Sequence, residues 1–89
     1  MNEHQRKFII ARMETAGLKV CIDEGPDNNW NIAVYSENGE AWEKTVVDYD
    51  TGIIEALDWA TKFALSDSPL TSWWKSNRYQ FTPEKTETR

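Results

Sequence analysis

Ten carboxylates and a single lysine lie between Asp23 and Asp58, and no other part of the chain has a comparable capacity for chemistry. The formal charge of this segment is −9 over 36 residues, whereas both flanks are mildly basic, so the whole chain of 89 residues carries −5. Carboxylates in such numbers can bind a cation, transfer protons, or accept hydrogen bonds from arginine and lysine side chains of another protein. Charge of one sign at this density repels itself and favours contact with a cationic partner.

A calcium-binding loop is the first function considered for these carboxylates. An EF-hand loop places glycine at position six and a bidentate glutamate at position twelve. Counting from Asp48, glycine falls at position five and Trp59 at position twelve. The spacing does not fit, and we expect no metal site.

Two carboxylates at Asp48-Tyr49-Asp50 follow an apolar run, and this pattern resembles the strand-end motif of haloacid-dehalogenase-type phosphatases. In those enzymes the first Asp is a nucleophile and the second a general acid or base, within a larger doubly wound sheet. Too few residues follow here for that sheet.

His4 is the single histidine, and no histidine of the strand region can serve Cys21 as a base. We therefore expect no enzymatic activity and no cofactor.

Aromatic and basic residues alternate from Trp73 to Phe81, with Lys75 and Arg78 between the rings. Such a segment can stack bases and bind phosphates, or it can pack against its own domain, with the basic side chains lying over the rings. Packing is the favoured interpretation. Adjacent Trp73 and Trp74 point about 100° apart on a helix, so only one can be fully buried against a flat surface.

Local signals predict the elements that position these residues. Asn2 and Gln5 form a capping-box pattern, and Gly17 suits the left-handed residue after a helix, so the first helix covers about 3–16. Alternating apolar residues then predict strands over about 18–22, 30–35 and 41–49.

The register of the second hairpin is open. A two-residue turn would place Glu37 opposite Glu40, which is unfavourable for like charges. A three-residue loop with Gly39 in the left-handed conformation would instead pair Val34 with Trp42. We favour the three-residue loop.

A second, largely buried helix should begin at a cap on Asp50 or Thr51 and run to about Ser66, with Asp58 and Lys62 paired at i,i+4. Ser68-Pro69 is typical of the start of a short third helix that carries Leu70 and both tryptophans.

The predicted fold is α+β with the order α-β-β-β-α: a three-stranded antiparallel meander covered on one face by two helices, plus a short C-terminal helix. Residues 1–81 form a single domain and residues 82–89 a disordered tail. The order is similar to that of double-stranded-RNA-binding domains. Those domains begin their second helix with lysines, whereas this chain has Asp48, Asp50 and Glu55, so no family is recognised. No apolar run is long enough for a membrane span, and a lone cysteine suits a reducing, cytoplasmic location.

The meander should gather five acids at one end of the sheet, beside the start of the second helix. We predict a partner-binding surface with no direct binding of nucleic acid; its residues are Asp23, Glu24, Asp27, Asp48, Asp50, Glu55, Trp73 and Trp74. The hypothesis is a non-enzymatic acidic interaction protein that docks on a basic surface of a partner protein and blocks a nucleic-acid-binding site. It is similar in type to DNA-mimic and phage anti-CRISPR inhibitors, which are short, acidic and aromatic-rich.

Three alternatives stay open. The acids can be an ordinary solvated surface, because turns and helix starts favour Asp for local hydrogen bonds. The chain can be a self-associating accessory domain, a homodimer formed through the Trp-rich segment and the open sheet face. A nucleic-acid binder would use Lys75 and Arg78.

Overall fold

The structure is a computed structural model, and it describes residues 1–64 and 68–81. The helices are α1 (Glu3–Thr15), α2 (Tyr49–Trp59) and α3 (Pro69–Asn77), and the strands are β1 (Lys19–Glu24), β2 (Trp30–Tyr35) and β3 (Ala41–Val46). A π-helical segment, Ala60–Ala64, continues α2, and short 3₁₀ turns cover Pro26–Asn28 and Arg78–Gln80. The α+β class and the predicted order are confirmed. The predicted tail, 82–89, lies outside the described residues.

The capping signals of α1 act as predicted. The Asn2 side chain accepts a hydrogen bond from the backbone N–H of Gln5 at 2.8 Å, and the Gln5 side chain accepts one from the N–H of Asn2 at 3.0 Å. Gly17 follows the helix with φ +97°, a conformation that glycine adopts without steric cost. The chain therefore turns at a defined residue into β1.

The sheet is an antiparallel meander with the strand order β1-β2-β3. Val34 pairs with Trp42 and Trp30 with Val46, so the three-residue loop is confirmed. Gly39 has φ +90°, and the Ser36 N–H donates to the Glu40 carbonyl at 2.8 Å, which closes the loop.

One hydrophobic core lies between the sheet and the helices. Its fully buried members come from every layer: Ile9, Met13, Ile32, Val34, Ile53, Leu57 and Trp74. Gly52 allows α2 to approach the sheet closely, because a Cβ there would lie 2.5 Å from Ile32 Cδ1 and 2.7 Å from Val46 Cγ2.

The start of α2 corrects one prediction. The cap is Asp48 and not Asp50 or Thr51: its side chain accepts hydrogen bonds from the Thr51 hydroxyl at 2.6 Å and the Thr51 N–H at 3.3 Å. The predicted end near Ser66 falls on residues outside the described part of the chain. Ser68 caps α3 by accepting from the Leu70 N–H at 3.1 Å, and Pro69 is its first residue, as predicted.

Candidate functional site

The meander places the ends of two strands and one loop at the same end of the sheet. Glu24, the last residue of β1, pairs with Trp30, and Trp30 pairs with Val46, the last residue of β3. The loop that carries Asp27 joins β1 to β2, and Asp48 follows β3 two residues after Val46. The predicted acids therefore belong to one end of the sheet.

Asp50 does not contribute uncompensated charge to this end. Its carboxylate accepts from the Met1 ammonium at 2.6 Å and from Arg6 Nε at 2.9 Å, and its side chain is only 17 % exposed. The Arg6 guanidinium also lies 4.5 Å from the centre of the Tyr49 ring. Asp50 thus joins the start of α1 to the start of α2. Its charge is neutralised within the molecule.

Glu55 is also paired within the molecule. Its carboxylate accepts from Lys44 Nζ at 2.7 Å. Lys44 shares a sheet face with Val34 and Val46 and therefore projects on the side that α2 covers. The sequence analysis placed Glu55 on a surface without compensating charge. Lys44 and Glu55 lie in different elements, 11 residues apart, and no sequence pattern reveals that they are in contact.

Asp48 stays ionised over a wider pH range than a free aspartate. The hydrogen bond from the Thr51 hydroxyl holds the pKa of Asp48 below its usual value, and backbone N–H donors at the helix start act in the same direction. Asp48 is exposed and has no ion pair with any described base. Its charge is therefore used locally as a cap while remaining accessible to a partner.

Asp23, Glu24 and Asp27 are exposed and make no ion pair with a base among residues 1–64 and 68–81. The loop holds Asp27 at φ +59° and Asn28 at φ +63°. Non-glycine residues seldom adopt this left-handed conformation, although Asp and Asn do so more readily than others. We call the four accessible carboxylates Asp23, Glu24, Asp27 and Asp48 the acidic end.

An apolar side chain lies beside Asp48 in the chain. Val47 is 80 % exposed, the highest value among the large hydrophobic residues that are exposed. A single exposed apolar residue is ordinary on a protein surface. It adds one exposed apolar side chain beside the carboxylate of Asp48 in the chain.

The two predicted tryptophans separate as their helical spacing requires. Trp74 is 2 % exposed and belongs to the core, so it is not available to a partner at the surface. Trp73 is half-buried, with its ring centre 5.9 Å from that of Phe8 and 5.9 Å from that of Phe81. The segment packs α3 onto α1, which was the favoured interpretation of its sequence.

Asp58 joins α2 to α3 and the turn after it, a contact that the sequence did not reveal. Its Oδ1 accepts from Trp74 Nε1 at 2.7 Å and from Arg78 Nε at 2.9 Å, and its Oδ2 accepts from Arg78 Nη2 at 2.8 Å. Partial burial would raise the pKa of Asp58, but the bonds from Arg78 and Trp74 outweigh burial and hold the pKa below its usual value. Lys62, the i,i+4 partner that the sequence predicts, forms no ion pair with Asp58, but its charge also lowers the pKa of Asp58.

Within the described ranges, no three His, Cys, Asp or Glu side chains are grouped so that they could hold a metal ion. His4 lies in the first turn of α1, whereas Cys21 lies in β1 opposite Ala33. What the acidic end can do chemically is accept charge-assisted hydrogen bonds from arginine and lysine.

No helix in the described part of the chain is long and apolar enough to cross a membrane. No protein-family model, curated protein or solved structure matches the chain. The residues and their geometry therefore carry the functional argument.

Proposed function

We propose that this chain is a non-enzymatic acidic interaction protein that docks its acidic end on a basic surface of a partner protein. The single observation that carries the proposal is that some acids of the segment are paired with bases of the same molecule and others are not. Asp50, Glu55 and Asp58 each form an ion pair with a base of the same molecule, whereas the four carboxylates of the acidic end form none with a described base. Of these four, Asp48 is also influenced by the charge of the Met1 ammonium, which helps to lower its pKa.

An acid that serves only to stabilise its own fold is best placed beside a cap, a helix dipole or a base. Asp48 has such a local role, but Asp23, Glu24 and Asp27 make no side-chain bond to another described residue. Their mutual repulsion is a cost to folding that no local partner offsets. An external cation would remove that cost.

The partner surface in this proposal is one that otherwise binds nucleic acid. Exposed carboxylates can accept the same arginine and lysine donors that bind phosphate oxygens, so a row of them competes for the same surface. Complementary charge would accelerate association, and added salt should reduce the on-rate.

A pair of variants with equal net charge tests the proposal. The acidic-end variant carries Asp23→Asn, Glu24→Gln and Asp27→Asn. The control variant carries Glu14→Gln, Glu37→Gln and Glu40→Gln, which lie away from this end, at α1 and at the opposite hairpin. Both change the formal charge from −5 to −2. Asp50 is left intact, because its loss would remove the bonds that Met1 and Arg6 make to the start of α2.

Wild type and both variants serve as baits in lysate of the native cell, and the captured proteins are identified by mass spectrometry. The proposal expects a partner that wild type and the control variant retain and that the acidic-end variant loses. It further expects labelled duplex DNA or RNA to compete with wild type for that purified partner. A partner captured equally by all three baits, or one that binds nucleic acid and this chain together without competition, would refute it.

Self-association is less favoured by the structure. The aromatic segment assigned to it is used internally, since Trp74 is buried and Trp73 packs against Phe8 and Phe81. The sheet face that remains open carries mainly short or polar side chains, with Tyr35 42 % exposed. Light scattering at two protein concentrations distinguishes self-association from docking on another protein. A molar mass that rises from that of a monomer to that of a dimer at the higher concentration would support the dimer.

A further inference from the structure

A cavity of about 330 Å³ lies between α1 and the start of α3, on surfaces that the acidic end does not use. Its walls are chiefly apolar; they include Phe8, Ala11, Arg12, Thr15, Pro69 and Leu70. The volume is at the lower end of the range for small-molecule sites, which is about 300–1,000 Å³. It suits a ligand of the size of a single ring with a short substituent.

Arg12 is the cation among the described residues that line this cavity, and no carboxylate of the described residues pairs with it. Arg6 pairs with Asp50 and Arg78 with Asp58, but Arg12 forms no ion pair with any acid of the described residues. Its guanidinium carbon lies 4.3 Å from the centre of the Trp73 ring and 5.6 Å from that of Phe8. The two rings fix the guanidinium plane without using its hydrogen-bond donors.

The Arg12 donors are incompletely used. Arg12 Nε is buried and has no hydrogen-bond partner. A buried donor left unsatisfied is unfavourable, and more so when the group is charged. The Nη atoms are not among the buried unsatisfied atoms and make no bond to a described residue, so they are the donors a ligand can reach. An oriented fork of this kind binds a planar carboxylate in two parallel bonds.

We infer that this cavity binds a small monocarboxylate with an aromatic or branched aliphatic body. The body would fill the space between Phe8, Ala11 and Leu70, and the carboxylate would accept from the Nη atoms of Arg12. An uncharged ligand of equal shape would leave the guanidinium without a partner. A charged ligand without the apolar body would leave the cavity walls in water. The inference is independent of the partner-docking function, since the two sites share no residue.

Phenylacetate and its neutral isostere phenylacetamide test the inference, in about 0.15 M salt so that repulsion from the distant acids is screened over roughly 8 Å. Binding is followed by NMR on the Arg12 Nε–H and the Trp73 indole N–H. Phenylacetate should give a saturable shift of both signals, with a dissociation constant on the order of 1 mM for so small a ligand. The amide should bind at least tenfold more weakly.

Three variants complete the test. Arg12→Met keeps an unbranched side chain over the rings and should weaken phenylacetate binding at least tenfold, whereas Lys19→Met makes the same charge change on β1 and should not alter it. Ala11→Phe, at an exposed position of α1, should fill the cavity and reduce binding by a similar factor in a protein whose amide spectrum shows that it is folded. Equal affinity for acid and amide, unchanged affinity in Arg12→Met or Ala11→Phe, or the absence of a saturable shift in wild type would overturn the inference.

Discussion

Replacement of Asp58 by Ala and by Asn should destabilise the protein to different extents, because the two changes remove different bonds. Oδ1 accepts from both Trp74 Nε1 and Arg78 Nε, whereas Oδ2 accepts only from Arg78 Nη2. Ala removes all three bonds. Asn in the same rotamer keeps an oxygen at the Oδ1 position and loses the charge and the bond at Oδ2.

The magnitudes follow from burial. Trp74 is 2 % exposed, so Ala leaves an indole N–H without a partner in the core, at a cost of about 1–3 kcal/mol. The Asp58 and Arg78 side chains are 40 % and 46 % exposed, so their ion pair contributes only about 0–1 kcal/mol. We expect Asp58→Ala to lower the free energy of unfolding by about 2–3 kcal/mol and Asp58→Asn by at most about 1 kcal/mol.

Urea unfolding followed by tryptophan fluorescence measures both values, and the midpoint of thermal unfolding should fall by about 4–8 °C for each kcal/mol lost. Asp23→Ala is the control, because that exposed acid has no partner among residues 1–64 and 68–81, and the change should alter the stability by no more than about 0.5 kcal/mol. Equal losses for Asp58→Ala and Asp58→Asn would refute the reasoning, since the Trp74 bond would then contribute nothing measurable. An Asp58→Ala variant as stable as the wild type would also refute it.

The remaining predictions concern α2 and acid stability. Gly52→Ala should lower the free energy of unfolding by about 1 kcal/mol net, because overpacking against Ile32 and Val46 exceeds the gain in helix propensity; an unfolding curve that shows equal or greater stability would contradict this. Asp48→Ala should cost about 1 kcal/mol by loss of the cap, whereas Asp48→Asn should stay within a few tenths, and comparable losses in urea unfolding would exclude Asp48 as the cap. Because the pKa of Asp58 is lower in the folded protein than in the unfolded chain, its ionised form contributes stability at neutral pH. This contribution is lost as the pH falls below the unfolded pKa and through the folded pKa. Wild type should therefore lose more stability than Asp58→Asn between neutral pH and pH 3, and parallel acid-unfolding curves would show that the carboxylate has no such role.

Most of the fold could be predicted because its signals are local. The capping box of Asn2 and Gln5, the left-handed Gly17 and the Ser68-Pro69 helix start each involve residues within four positions of one another. The hairpin register also followed from a short-range argument, namely the cost of placing Glu37 opposite Glu40. Signals of this kind are present in the chain before any tertiary contact forms.

The start of α2 shows the limit of such rules. Asp48, Asp50 and Thr51 are all acceptable caps, and propensity alone does not choose among them. Tertiary contacts decide: Asp50 is held by Met1 and Arg6, which leaves Asp48 to accept the Thr51 donors. The pairing partner of Asp58 was missed for the same reason, since Trp74 and Arg78 lie 16 and 20 residues away in the chain.

The mildly basic flanks reduce the negative charge that the acidic segment presents to solvent. Met1, Arg6 and Arg78 come from the flanks, and they neutralise Asp50 and Asp58. Counting charge along the chain therefore overstates the accessible negative charge, and it says nothing about which acids remain accessible. The acids of the segment that form no ion pair with a described base lie at the acidic end, at the opposite hairpin with Glu37 and Glu40, and at Glu43 in the middle of β3.

This division gives the binding experiment its discriminating power. If net charge alone attracted a basic partner, the acidic-end and control variants, which have equal charge, would lose affinity equally. Docking at the acidic end requires direct bonds from carboxylates to arginine or lysine, which act at hydrogen-bond distance, whereas the attraction of distant charges is screened within about 8 Å at physiological salt. A difference in affinity between the two variants that persists as salt is raised is therefore the signature of a contact surface, whereas equal losses that both shrink with salt indicate attraction by net charge alone.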